Sequence, residues 1–282
     1  MVVALSLAAA CCYALASVLQ QRAAAAAPAD RSVRLGLLAH LLGRPLWLAG
    51  ILVEVPGFVA QALALRRGPL ITVQLLLVTG LLFALVIEAM LARRRLSGRD
   101  WLAAAAVSGG LAVFLAVGTP SGGHAGASAR HWLLAGAAAA AVTFAAVRLA
   151  PRTAGAHRAL LLAVAAGITL GFSAALTKAT VTILAAGVRR MLASWEPYAL
   201  ALVGFSGLLL AQSAFQAGPL AASLPTITVV DPLASSIFGV TILGERVATD
   251  RLSLALEVAA AAVIGGGIIA LTRTREAVER RG

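Results

Sequence analysis

The chain has 282 residues, of which 61% are hydrophobic and 12% charged, with a mean hydropathy of +0.94. A soluble domain carries about a quarter charged residues, so a water-soluble core is excluded. The formal charge of +12 is carried by short Arg clusters between apolar stretches rather than by one patch, which excludes nucleic acid as the expected partner and points to the lipid bilayer.

A hydrocarbon core about 30 Å thick needs roughly 20 apolar residues in helix, because unpaired backbone groups are costly in lipid. That criterion predicts nine spans: Ala4 to Leu19, Leu46 to Leu65, Leu70 to Leu91, Trp101 to Val117, Trp132 to Val147, Ala159 to Ala186, Tyr198 to Phe215, Leu220 to Leu243 and Leu252 to Leu271. The N-terminus reads as the first span and not as a cleaved leader, since it has no basic n-region. Adjacent Cys11 and Cys12 lie inside it and suit packing, not a disulfide framework. Val33 to Leu42 is too short to span and is expected to be an amphipathic connector at the interface.

With nine spans, 15 Arg residues fall on one side and 7 on the other. Positive charge is retained in the cytoplasm, so the expected orientation is N-terminus outside and C-terminus inside, in the plasma membrane.

The two halves echo each other. Gly68-Pro69-Leu70 opens span three and Gly218-Pro219-Leu220 opens span eight, each after a span with an Ala-Gln pair, Ala60-Gln61 and Ala211-Gln212. Ala16 to Gln21 in span one matches Ser173 to Lys178 in span six, and Arg95 to Asp100 matches Arg246 to Arg251. Spans one to four (residues 1–120) therefore pair with spans six to nine (153–275). Span five (121–152) is the linker, and 276–282 form a cytoplasmic tail. An odd number of spans separates equivalent helices, so the repeats are expected to be inverted, an arrangement common in secondary transporters. The expected fold is thus an all-α polytopic membrane protein of two inverted four-helix repeats.

Ionisable groups at the centre of a span cost about 2.5–3.5 kcal/mol on the insertion scale and are kept for function. Two acids sit at that depth, Glu54 in span two and Asp231 in span eight. Thr228, Asp231 and Ser235 share one helical face by their i, i+3, i+7 spacing, while Pro225 and Pro232 each remove a backbone donor. The expectation is a broken helix that holds a cation or a coupling proton; the alternative is a Pro-kinked helix whose Asp is protonated and hydrogen-bonded to Ser or Thr. Glu54, beside Pro56 and Gly57, suits the same role, or that of a neutral acid in a packing network.

Lys178 is the only lysine among 22 Arg residues. It is read as a counter-ion for Asp231 or Glu54, as a ligand for an anionic substrate, or as a side chain snorkelling outward. Gln61 adds an uncharged polar group. Small residues in span four (103–106, Gly109, Gly110) and span nine (259–262, 265–267) suit close packing of helices or of two subunits, a homodimer. His40, His124, His131 and His157 lie in connectors without metal-ligand spacing. No nucleophile motif, phosphate loop or CxxC pair occurs, so neither an enzyme nor a cofactor is expected.

These residues resemble the drug/metabolite transporter superfamily, and within it the NIPA-type magnesium transporter branch, over nearly the whole chain. The resemblance lies in Gly50 to Leu70, with Glu54, Phe58 and Ala60 placed like the family's Gly-Glu-x-x-Asn-Phe-x-Ala before Pro-Leu. It continues in Gly171, Ser173 and Lys178, in Gln212, and in Pro225 followed twenty residues later by Glu245. The chain departs from the branch at Gly57 for Asn, Gln61 for Tyr, Ile227-Thr228 for a Tyr pair, and at Asp231-Pro232. The resemblance implies a secondary transporter moving a small polar solute or ion by alternating access. Magnesium or another divalent cation, held by Glu54 and Asp231, is the narrower alternative, and a non-transporting membrane subunit is the third.

Overall fold

The computed structural model describes residues 1–25, 35–91, 128–217 and 220–246, together with short stretches between 97 and 122 and between 255 and 266. The described elements are α1 (Val2–Ala25), α2 (Leu35–Leu42), α3 (Pro45–Arg67), α4 (Leu70–Leu77), α5 (Gly80–Leu91), β1 (Ser121–Gly122), α6 (Ala129–Leu149), α7 (Gly155–Ala185), α8 (Val188–Leu192), α9 (Glu196–Ala217), α10 (Leu220–Thr241) and β2 (Glu245–Arg246). A single 3-10 turn, Ala150–Arg152, follows α6.

Among the described residues, six stretches are long and apolar enough to cross a bilayer: Val2–Ala24, Pro45–Arg67, Leu70–Leu91, Ala129–Arg152, Gly155–Ala185 and Glu196–Ala217. The protein is an α-helical membrane protein. α10, with 22 residues, is about 33 Å long at 1.5 Å per residue and matches the expected span eight. Spans four and nine, with their small-residue faces, fall mostly outside the described residues.

The chain turns where its sequence withdraws backbone partners. Pro45 opens α3, where its missing N–H costs nothing. Gly68 and Pro69 take extended conformations that end α3 and start α4. Gly187, at φ 120°, makes the sharp turn between α7 and α8 that a side chain would strain.

Three registers define the neighbours. Along α1 and α3, Gly50 faces Gln20, Gly57 faces Cys12 and Gly68 faces Val2, so these helices run antiparallel. Gly207 of α9 meets Leu170 of α7 and Gly204 meets Ser173, again antiparallel. Gly167 and Gly171 of α7 meet Val230 and Ala234 of α10, which therefore run parallel. At each of these places except Gly68 and Gly204 an added Cβ would come closer than 3.0 Å to the facing helix. Glycine thus sets the interhelical distance, as packing without a hydrophobic drive requires.

The start of α1, the α3–α4 turn and the segment after α10 share one side of the bundle, because Gly68 lies on Val2 and Glu245 on Leu70. β1 reaches the same side, pairing antiparallel with β2 through Ser121↔Arg246 and Gly122↔Glu245. Four long helices, α6, α7, α9 and α10, separate β1 from β2 in sequence, the even number that a shared side demands; α8, of five residues, is too short to cross.

α2 is about 12 Å long and cannot cross. Leu37 and Leu41 are fully buried and Leu42 is exposed, so it is amphipathic as expected. Its apolar face, however, is not spread on the interface: it joins the core cluster of Leu210 and Ala214 from α9.

Two expectations about helix continuity are corrected. α10 runs unbroken through Pro225 and Pro232. Span three, expected to be continuous, is divided at Val78 and Thr79 into α4 and α5. There the amides of Val78, Thr79, Leu81 and Leu82 bond three residues back and not four, Thr79 Oγ1 donates to the Leu76 carbonyl at 2.6 Å, and Gly80 lies against the Ala10 backbone of α1.

Candidate functional site

Between α1, α3, α4, α5, α7, α9 and α10 lies a cavity of about 500 Å³. Its walls are mostly apolar, with Ile51, Val55, Phe58, Leu77, Leu81, Leu170, Phe205, Leu208, Phe215 and Ile227 among them. The break in span three forms part of the wall, since Leu77, Val78 and Gly80 all line it.

Four of the helices contribute a short polar stripe at helical spacing. Tyr13, Ser17 and Gln20 come from α1, Glu54 and Gln61 from α3, Ser173 and Thr177 from α7, and Thr228 and Asp231 from α10. Gln74 and Gln212 complete the set. Of the six residues expected at the site, Glu54, Gln61, Thr228 and Asp231 line this one cavity. Both acids therefore face a common hollow.

Glu54 ends a chain of amides. Gln212 Nε2 donates to Gln20 Oε1 at 2.6 Å, and Gln20 Nε2 donates to Glu54 Oε2 at 2.5 Å. The chain joins α9, α1 and α3 across the cavity. Tyr13 donates its hydroxyl to Gln61 Oε1 at 2.5 Å, a second link between α1 and α3.

Asp231 accepts a hydrogen bond from Ser235 Oγ at 3.1 Å. Ser235 is fully buried and does not line the cavity; it holds Asp231 from behind. With α10 unbroken, Asp231 has the bond to a serine that the alternative to a broken helix expected. Pro232 withholds the amide that Thr228 O would accept, while the Thr228 hydroxyl bonds back to Leu224 O at 2.8 Å. The backbone is tied to α7, where a Cβ at Gly171 would fall 2.9 Å from Asp231 O.

Lys178 is not in the cavity, and its partner is neither Asp231 nor Glu54. It forms an ion pair with Glu245, a carboxylate whose side chain is fully buried. Glu245 Oε1 also accepts the Leu70 amide at 2.6 Å, and Oε2 accepts the Ile71 amide at 3.1 Å. The physical reason is the α4 N-terminus: its free amides and positive dipole end bind a carboxylate, and Lys178 supplies the remaining charge. One side chain thereby ties α4, α7 and the end of α10 together.

Tyr13 and Gln74 were not singled out from the sequence, and Gln20 and Gln212 figured there only as motif matches. The i, i+4, i+7 spacing of Tyr13, Ser17 and Gln20 in an otherwise apolar helix was the available signal. Among the described residues no group of three or more His, Cys, Asp or Glu side chains is placed to hold a metal ion.

The chain is 29% identical, over 242 residues, to an uncharacterized protein of Corynebacterium glutamicum, a match that spans 86% of this chain and 84% of that one. No protein-family model matches the chain. No solved structure matches it.

Proposed function

We propose that the protein is a secondary transporter of the drug/metabolite transporter type that carries a small polar solute by alternating access, with Glu54 and Asp231 in its binding site. The observation that carries this reading is the meeting of both acids in one cavity walled by seven helical segments. A protein that only filled a membrane complex has no use for two carboxylates in a hollow of that size, where each costs insertion energy.

The helix directions support an inverted repeat. α1 runs antiparallel to α3 and parallel to α4 and α5; α7 runs antiparallel to α9 and parallel to α10. The first trio starts on the side of Val2 and the second on the opposite side, as two inverted units would. The Arg distribution supports an N-terminus outside and a C-terminus in the cytoplasm.

A bare divalent cation is the weaker reading. Such ions take six or more oxygen ligands at close range, whereas a cavity of about 500 Å³ with mostly apolar walls has the dimensions of an organic ligand site. The test is a flux screen in proteoliposomes with metabolites and metal ions at two pH values. Asp231→Asn is expected to abolish flux of whatever solute is moved, with folded protein retained by size-exclusion chromatography. Unchanged flux in that variant removes Asp231 from the mechanism.

A further inference from the structure

The occupant's chemistry is legible in the atoms that the cavity leaves without partners. Among the described lining residues are two carboxylic acids and no Lys, Arg or His. Lys178, next in sequence to the lining residue Thr177, is claimed by Glu245. An anionic solute would meet like charge and no compensation. A neutral one would leave any ionised acid in the apolar walls uncompensated.

The amide chain sharpens the argument. An ionised carboxylate only accepts hydrogen bonds, so Gln20 must turn its NH₂ to Glu54 and its oxygen to Gln212. Gln212 must then answer with its own NH₂, and its Oε1 is left over. That oxygen is buried with no hydrogen-bond partner, on a residue with no exposed surface. Gln74, 1% exposed, has a buried Nε2 in the same condition. Both residues line the cavity. Buried polar atoms without partners are costly and are few in a native protein, and here they belong to residues that line the same hollow as the acids.

We propose that the cavity binds an organic ammonium compound, with its N–H groups accepted by Glu54 and Asp231 and, once Gln212 turns its buried oxygen toward the hollow, by that carbonyl. Gln74, turning its buried Nε2 likewise, donates to an acceptor atom elsewhere on the solute, and the apolar body lies along Phe58, Phe205 and Phe215. An inorganic cation would satisfy the acids but leave those aromatic walls and the Gln74 donor unused. This proposal rests on the reading of the cavity as a solute site and adds the class of solute.

The test is calorimetric binding of 2-phenylethylammonium to the purified full-length protein in detergent at neutral pH, with 2-phenylethanol and 3-phenylpropanoate as neutral and anionic comparators. The ammonium is expected to bind at least about tenfold more tightly than either, the discrimination expected from hydrogen bonds to a charged group. Glu54→Gln and Asp231→Asn are each expected to erase about tenfold of that preference. Equal binding of the three probes by the unmodified protein overturns the proposal whether or not the variants fold, as does a preference that survives in both variants. The two readings fail separately. Ammonium binding without flux in proteoliposomes leaves this site standing and removes the carrier, whereas flux of another solute class without ammonium binding removes this occupant and leaves the carrier.

Discussion

Glu245 is the residue on which the structure depends most visibly. Its carboxylate is wholly buried, yet it has two backbone amides and an ammonium around it, the condition under which a charge can stay inside a low-dielectric interior. Removing one partner of such a pair leaves an uncompensated charge. Glu245→Ala is therefore expected to destabilise the protein by about 3–5 kcal/mol, measured as a lowered Tm in detergent. The double variant Lys178→Met with Glu245→Gln is expected to regain part of that loss, because no buried charge remains. An unchanged Tm in Glu245→Ala would mean that the junction is solvated and that the tie between α4 and α7 is weak. At the same scale, Gln20→Leu takes partners from both Gln212 and Glu54 and is expected to cost about 1–3 kcal/mol, read from the same melting curves.

At the scale of elements, the two discontinuities show that proline content alone does not decide where a membrane helix breaks. α10 holds two prolines and stays continuous, because its neighbour α7 presents Gly167 and Gly171 and lets the backbone settle against it. Span three holds none within its length and breaks at Val78 and Thr79, where Gly80 approaches the α1 backbone and a threonine hydroxyl replaces a main-chain partner. The close approaches make a prediction. Gly171→Val puts a branched side chain where even a Cβ would lie 2.9 Å from Asp231 O, and it is expected to cost about 1–3 kcal/mol or more through overpacking. Gly43→Ala, whose Cβ would sit 3.5 Å from its nearest neighbour, is expected to stay within about 0.5 kcal/mol of the parent. Equal effects of the two substitutions would show that α7 and α10 are not held at this distance.

For the whole molecule, the paired strands offer a direct check of topology. Ser121 and Arg246 are register partners across β1 and β2, close enough for a disulfide. Ser121→Cys with Arg246→Cys, in a chain whose Cys11 and Cys12 are replaced by Ala, is expected to form an intramolecular crosslink on mild oxidation, seen as a mobility shift reversed by reductant. A cysteine at Thr153, after α6, is expected to be labelled by an impermeant maleimide only from the opposite side of the membrane. Labelling of 121 and 153 from one side would show that α6 does not cross.

The sequence by itself determined that this is a helical membrane protein, and it drew attention to Glu54 and Asp231, which the structure places in one cavity. Those readings follow from local quantities: the length of apolar runs, helical spacing, and the cost of polar groups in lipid. The same local reading could not place Lys178, because its choice between three acids depends on which helix ends meet, and Glu245 lies 67 residues away. Nor could it foresee that α10 would stay whole while span three divided, since each outcome rests on a facing helix. Only the tertiary structure decided that four polar stripes converge on one hollow and which of their atoms remain unpaired, because hydrogen-bond satisfaction is a property of the packed assembly and not of any single segment.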